Sequence, residues 1–279
     1  MNIWLFAAFM GLLQGITEFL PVSSSGHLAL FQNIFGMESV EDTHMLFSVM
    51  LHFGTLISVL IMYRKDIFDM IKAFVGFFRR GGSERGNGSS IGAARLIVMI
   101  VIATVPLIAI ALLGDYIGQL NAKTGFVGLM LVLTGGLLYV SDKVPKGGKN
   151  EKTAKYSDSI VIGLMQAAAT LPGISRSGAT ITGGLIRGFD RSFAVKFSFI
   201  LSIPAVVGAV VLESSNAIKA GVDPALIVPY IFGTALAAAA GCFAIRLVRF
   251  ISEKDRFRGF AYYCWGVGVL AIILSFFSR

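Results

Sequence analysis

Charge is scarce in this chain. Of its 279 residues only 14% are Asp, Glu, Lys or Arg, against about 25% in an ordinary soluble domain. With 55% apolar residues and a mean hydropathy of +0.77, this deficit excludes a conventional soluble fold and leaves a single polytopic membrane domain spanning 1–279. Acidic residues are scarcer than basic ones, 16 against 24, for a net charge of +8. The surplus cations sit between apolar runs, where they suit loops facing anionic lipid. No nucleic-acid module is present and no nucleic-acid partner is expected. Cysteine occurs twice, as Cys242 and Cys264, each inside an apolar run. The pair therefore reads as small buried hydrophobes, with neither a disulfide framework nor metal-ligand spacing. No basic stretch precedes the first apolar run, so the N-terminal segment is expected to belong to the mature bundle.

What is present is a series of apolar runs. Residues 45–62, 96–113, 125–141, 197–212, 225–245 and 259–277 predict full spans. Two other runs are broken. Residues 3–20 end at Pro21, and the apolar stretch that follows is too short to cross a bilayer; residues 159–186 are interrupted from Pro172 to Gly178. Each reads as a re-entrant hairpin, since broken backbone at membrane depth is tolerated where it lines a cavity. Ile67, Phe68, Ile71, Phe74, Val75 and Phe78 recur at helical spacing among basic residues, predicting an interfacial helix, and 81–90 predicts a loop. Lys and Arg concentrate in 64–95, 142–158, 187–196 and 246–258, which are assigned to the cytoplasm. Loops 114–124 and 213–224 are assigned outside, together with both termini.

The two broken segments resemble each other. GLLQGITEFLPVSSSG starts at Gly11 and GLMQAAATLPGISRSG at Gly163, an offset of 152 that aligns Gly11, Leu12, Gln14, Ser23, Ser25 and Gly26 with their counterparts. Three crossings separate the segments, so the repeats, about 1–141 and 159–279, are expected to be inverted. The expected fold is thus all-α, with six transmembrane helices and two re-entrant helical hairpins arranged as inverted-topology repeats. Paired Gly/Pro-interrupted segments in corresponding positions point to a binding site between them.

The residues at the breaks carry the chemistry. Glu18 is a carboxylate inside an apolar run, and insertion scales put a central Asp at roughly 2.5–3.5 kcal/mol. It reads as a general base or a cation ligand, and Gln14, one turn earlier, can orient it or offer an amide oxygen. Ser23, Ser24, Ser25 and Gly26 open a helix, where free N–H groups and hydroxyls bind phosphate oxygens, or a hydroxyl attacks. His27 is a candidate acid, base or nucleophile. Arg176 is a fixed cation that matches phosphate bidentately, flanked by Ser175, Ser177 and Gly178. His52 is balanced between polar packing and a place beside the cavity, and His44 is expected at the surface.

These motifs, Gln14-x-x-x-Glu18, Leu20-Pro21-Val22-Ser23-Ser24-Ser25-Gly26-His27 and Pro172-Gly173-Ile174-Ser175-Arg176-Ser177-Gly178, resemble the signatures of the bacitracin-resistance family of undecaprenyl-diphosphate phosphatases. The likeness continues through Phe197-Ser198-Phe199 to Ile203-Pro204-Ala205 and covers essentially the whole chain. It implies a bacterial inner-membrane hydrolase that converts undecaprenyl diphosphate to the monophosphate. That reaction recycles the lipid carrier of cell-wall synthesis and confers bacitracin resistance, at a site opening to the outer face. The resemblance also implies a divalent cation, Mg²⁺ or Ca²⁺, and no organic cofactor. Carried over residue by residue, Glu18 serves as base or cation ligand with Gln14, and Ser24 is the favoured nucleophile. Ser23 and Ser25 bind phosphate, His27 assists proton transfer, and Arg176 holds the diphosphate. Gln14 stands where the motif admits Glu or Gln; its amide holds a cation less strongly than a carboxylate would. Ser24, His27 and water remain alternative nucleophiles.

The expected partners are a polyprenyl diphosphate and membrane lipids, and the Gly-rich spans allow a homodimer. A transporter is the main rival reading, because broken inverted repeats also describe carriers. A carrier, however, needs no nucleophile beside a base.

Overall fold

The computed structural model describes residues 2–35, 45–79, 88–111, 113–220, 223–254 and 256–277. These residues form helices α1 (Ile3–Phe19), α2 (Ser24–Phe35), α3 (Met45–Met62), α4 (Arg64–Arg79), α5 (Gly88–Ala111) and α6 (Gly114–Gly118). The remainder are α7 (Thr124–Ser141), α8 (Tyr156–Ala168), α9 (Arg176–Ile186), α10 (Arg191–Ala220), α11 (Pro224–Glu253) and α12 (Arg258–Ser275). Among the described residues the only sheet-like pairing is an isolated bridge between Lys149 and Phe189.

Among the described residues, five helical segments are long and apolar enough to cross a membrane: 91–110, 124–141, 191–212, 224–253 and 258–275. A sixth is obtained if α3 and α4, bent by 82° at their junction, count as one. The protein is therefore a multi-pass helical membrane protein. Helix α1, with 17 residues, is a shorter apolar helix. On α4, Phe68, Ile71, Phe74 and Val75 are exposed, while Ile67 and Met70 pack on the core.

Several helices run past the apolar runs expected for them. Arg191 and Lys196, assigned to a loop, lie on α10, which continues to Ala220, and Arg246 and Arg249 lie on α11. A helix does not stop where hydrocarbon ends; Lys and Arg are good helix formers and carry their charges out to water. Likewise α5 starts at Gly88, inside the expected 81–90 loop; residues 81–87 of that loop and His44 lie outside the described residues.

Small residues bring the backbones together. Helix α1 packs along α11 and α8 along α5. Gly11 lies against the Gly233 carbonyl and Gly15 against Ala237, while Gly163, the counterpart of Gly11, lies against the Ala103 carbonyl. Helices α7 and α12 meet at Gly128 and Gly268, each set against the other's carbonyl. Both cysteines are free, and Cys264 is buried. Around Asp158, in the first turn of α8, Lys149 Nζ and Arg187 Nε each donate at 2.9 Å, as does the Lys155 amide. This fully buried carboxylate ties the start of α8 to the end of α9.

Candidate active site

Both breaks are built from local sequence. Pro21 cannot donate a helical hydrogen bond and disfavours helix in the residue before it. Leu20 is accordingly extended (φ −61°, ψ 136°) and α1 ends. The chain then turns through Ser23, a non-glycine residue at φ +72°. Its hydroxyl accepts from the Gly26 amide at 3.1 Å. In the second hairpin Gly173 takes φ +100°, and Ser175 caps α9 by accepting from the Gly178 amide, again at 3.1 Å. The alternate serines also pair alike, Ser23 with Ser25 at 3.4 Å and Ser175 with Ser177 at 3.2 Å. Each turn therefore presents the first residue of its second helix, Ser24 in one and Arg176 in the other.

Those two residues meet at Glu18. Arg176 Nη2 donates to Glu18 Oε1 at 2.7 Å. Ser24 Oγ donates to Oε2 at 2.9 Å, and Gln14 Nε2 donates to the same oxygen at 3.1 Å. The carboxylate side chain is 7% exposed, whereas the guanidinium side chain is 30% exposed and so keeps donors open to a ligand. A cavity of about 110 Å³ lies against this cluster, lined by Gln14, Thr17, Glu18, Ser23, Ser24, Ser25, His52, Ser175 and Arg176. Helices α2 and α9 both start at it, so their free N–H groups and positive dipole ends favour an anion there. The turns themselves touch: a Cβ on Gly26 would stand 2.9 Å from Gly173 Cα.

The structure thus brings Gln14, Glu18, Ser23, Ser24, Ser25, Ser175 and Arg176 together. Gly26, Ser177 and Gly178 serve the turns: the two glycines supply the capped amides, and buried Ser177 faces Ser175. His27 points elsewhere. Its Nδ1 is 2.8 Å from the Ser23 carbonyl, its Nε2 is 2.8 Å from Tyr263 Oη, and its ring lies parallel to that of Tyr263. The carbonyl can only accept, so Nδ1 carries the proton and Nε2 accepts from the tyrosine. His52 is the histidine on the cavity wall; its Nδ1 bonds the Ser48 carbonyl at 3.0 Å.

Sequence reasoning missed Thr134 and Tyr263. Buried Thr134 donates to the Gly173 carbonyl at 2.8 Å and accepts from the Ser175 amide at 3.0 Å, pinning the second turn to α7. Neither residue announces itself in sequence, because each lies in a mainly apolar helix and its partner is remote.

For a divalent cation the donor set is Glu18, the Gln14 amide oxygen and nearby hydroxyls. No group of three His, Cys, Asp or Glu suited to a metal occurs among the described residues. The set fits a hard ion held by one carboxylate and completed by water and substrate phosphate, the mode typical of Mg²⁺.

Fold and site together define a class: a multi-pass helical membrane protein with one acid, one guanidinium and hydroxyls gathered at two helix breaks, suited to an anionic group. The family model for bacitracin resistance protein BacA matches residues 7–270, and the chain belongs to that family. It is 40% identical over 268 residues to the undecaprenyl-diphosphatase of Halothermothrix orenii, covering 96% of each chain. It is 39% identical over 271 residues to that of Alkaliphilus metalliredigens, covering 96% of this chain and 98% of the relative. Undecaprenyl-diphosphatase 4 of Bacillus thuringiensis subsp. konkukian is 36% identical over 274 residues, 98% of each.

Proposed function

We propose that this protein hydrolyses undecaprenyl diphosphate to undecaprenyl phosphate and inorganic phosphate, recycling the lipid carrier of cell-wall synthesis and thereby conferring bacitracin resistance. The observation that carries the reading is the convergence of Arg176 and Ser24 on Glu18 from two separate helix breaks, in a family whose relatives bear that activity in their names.

In this reading the outer phosphoryl group enters the cavity, and Arg176 together with the helix N-termini neutralises its charge. Glu18 Oε2 takes the Ser24 hydroxyl proton, the geometry of an activated nucleophile beside its base. Ser24 Oγ attacks the terminal phosphorus as the phosphoanhydride bond breaks, and undecaprenyl phosphate leaves. Water then cleaves the phosphoserine, releasing phosphate and restoring the hydroxyl. Gln14 orients the carboxylate, Ser23, Ser25 and Ser175 donate to phosphate oxygens, and His27 holds the Ser23 turn. Glu18 and Gln14 would hold a Mg²⁺ or Ca²⁺ ion, which when bound supplies further neutralisation of phosphate charge.

The finer architecture belongs to the same proposal: six spans, with α1–α2 and α8–α9 as re-entrant hairpins of two inverted repeats. The matching placements of α1 on α11 and α8 on α5 support it, as do the twin capped turns. We assign the cavity to the outer face of a bacterial inner membrane, on the distribution of Lys and Arg. Purified protein in detergent tests the function: phosphate release from undecaprenyl diphosphate is expected, and failure of Glu18→Ala to reduce it would remove the carboxylate from the mechanism.

A further inference from the structure

A second cavity, of about 1000 Å³, opens beside the first and shares one wall residue with it, Thr17. Its body is apolar, formed by Ile16, Leu20 and Val22 from the first hairpin with Ile251, Phe260 and Tyr263 from α11 and α12. Its mouth carries Lys254, Arg256 and Arg258, all exposed. These cations alternate along the connection between α11 and α12, whereas Phe257 between them is fully buried. The alternation turns three charges toward the groove and anchors the connection from behind.

The charges are only partly engaged by the protein. Arg256 makes no side-chain hydrogen bond, ion pair or ring contact among the described residues. Lys254 rests on the Phe250 ring at 4.0 Å. Arg258 is anchored on buried Asp142 by its backbone amide at 2.8 Å, while its side chain makes only a long ion pair through Nε at 3.9 Å and is 54% exposed. A hydrocarbon chain by itself has no use for three cations at the entrance. An amphiphile with an apolar body and an anionic head matches both parts, and basic pockets between transmembrane helices recognise phosphate headgroups in this way.

We propose that this groove is a binding site for an anionic phospholipid of the surrounding leaflet, with its phosphate headgroup on Lys254, Arg256 and Arg258 and its acyl chains along Leu20, Val22 and Phe260. The site is distinct from the Glu18 cavity and does not depend on the activity assigned to that cavity. Its occupant touches Tyr263, the residue that holds His27.

The test is native mass spectrometry of the full-length protein taken from mixed phosphatidylglycerol and phosphatidylcholine bilayers. Wild type is expected to retain one phosphatidylglycerol in preference to phosphatidylcholine. Each cation near the surface contributes about a fivefold preference, so Lys254→Gln/Arg256→Gln/Arg258→Gln loses about a hundredfold. Gly259→Trp provides a second variant that keeps every charge. Gly259 has open space where a side chain would start, so the indole fills the groove without breaking the helix, and retention of the lipid is expected to fall. Equal retention of the two lipids by wild type would overturn the proposal, as would a preference that survives both variants. Displacement of the lipid by inorganic phosphate alone would also overturn it, by making the groove a free-anion site.

Discussion

Arg176 Nη2 and Glu18 Oε1 lie 2.7 Å apart although 158 residues separate them in sequence. The contact joins the first residue of α9 to the last full turn of α1, and it is the one ion pair that links the two helix breaks among the described residues. Each charge is compensated by the other, which matters most for the carboxylate, whose side chain is 7% exposed. An anionic ligand that engages the remaining guanidinium donors enters a site already ordered for it.

The pair separates stability from activity. Removing one partner strands the other charge, at a cost of about 3–5 kcal/mol where the pair is buried. Glu18→Gln and Arg176→Gln are each expected to lower the melting temperature, and the double variant to regain most of that loss. None of the three is expected to release phosphate from undecaprenyl diphosphate at more than about a hundredth of the wild-type rate. A double variant with restored turnover would show that the pair is structural only.

Ser24→Ala tests the nucleophile. The side chain is small and its loss leaves the Gln14–Glu18 contact intact, so folding is expected to survive while turnover falls by about a hundredfold or more. Acid-quenched wild-type enzyme is expected to carry phosphate on Ser24, detectable by peptide mass spectrometry. Normal turnover in Ser24→Ala would transfer the attack to water.

The contact between the turns is tight enough to be measured. Gly26→Ala places a methyl group against Gly173 Cα, and such overpacking costs about 1–3 kcal/mol. Gly173→Ala adds an unfavourable positive φ to a collision with the Val127 carbonyl, so it is expected to melt at a lower temperature than Gly26→Ala. The reverse order would mean that the second turn relaxes more readily than the first.

His27 and Tyr263 offer a comparison between holding a turn and moving a proton. Tyr263→Phe keeps the ring and removes the hydroxyl donor to Nε2, a net change of about 0.5–1.5 kcal/mol. Turnover is expected to fall less than tenfold with the shape of its pH profile retained, whereas His27→Ala, which frees the Ser23 carbonyl, is expected to lose much more. An altered pH profile in Tyr263→Phe would instead place His27 among the groups that titrate during catalysis.

Much of this was legible in the chain. Apolar runs marked the long helices, and Pro21 and Pro172-Gly173 marked both breaks, because proline and glycine act on the backbone locally. The limits of α10 and α11 were not legible, since hydropathy records where lipid ends and not where helical hydrogen bonding ends. Nor were Thr134 and Tyr263, whose partners, Gly173 and His27, are remote in sequence. The two histidines, 27 and 52, differ only in the direction their rings take, and that is set by packing.

The amino-acid sequence alone determined that the chain is a membrane protein with two broken, mutually similar segments, and which polar side chains those segments carry. Periodicity, proline chemistry and the cost of charge in hydrocarbon are local properties, so they can be read residue by residue. Only the tertiary structure decided that Arg176 and Ser24 share one carboxylate, that His27 faces Tyr263 instead, and that a basic-mouthed groove lies on the other side of Thr17. Those relations depend on how closely glycine-lined helices approach and how they rotate about their axes, and no single segment encodes either.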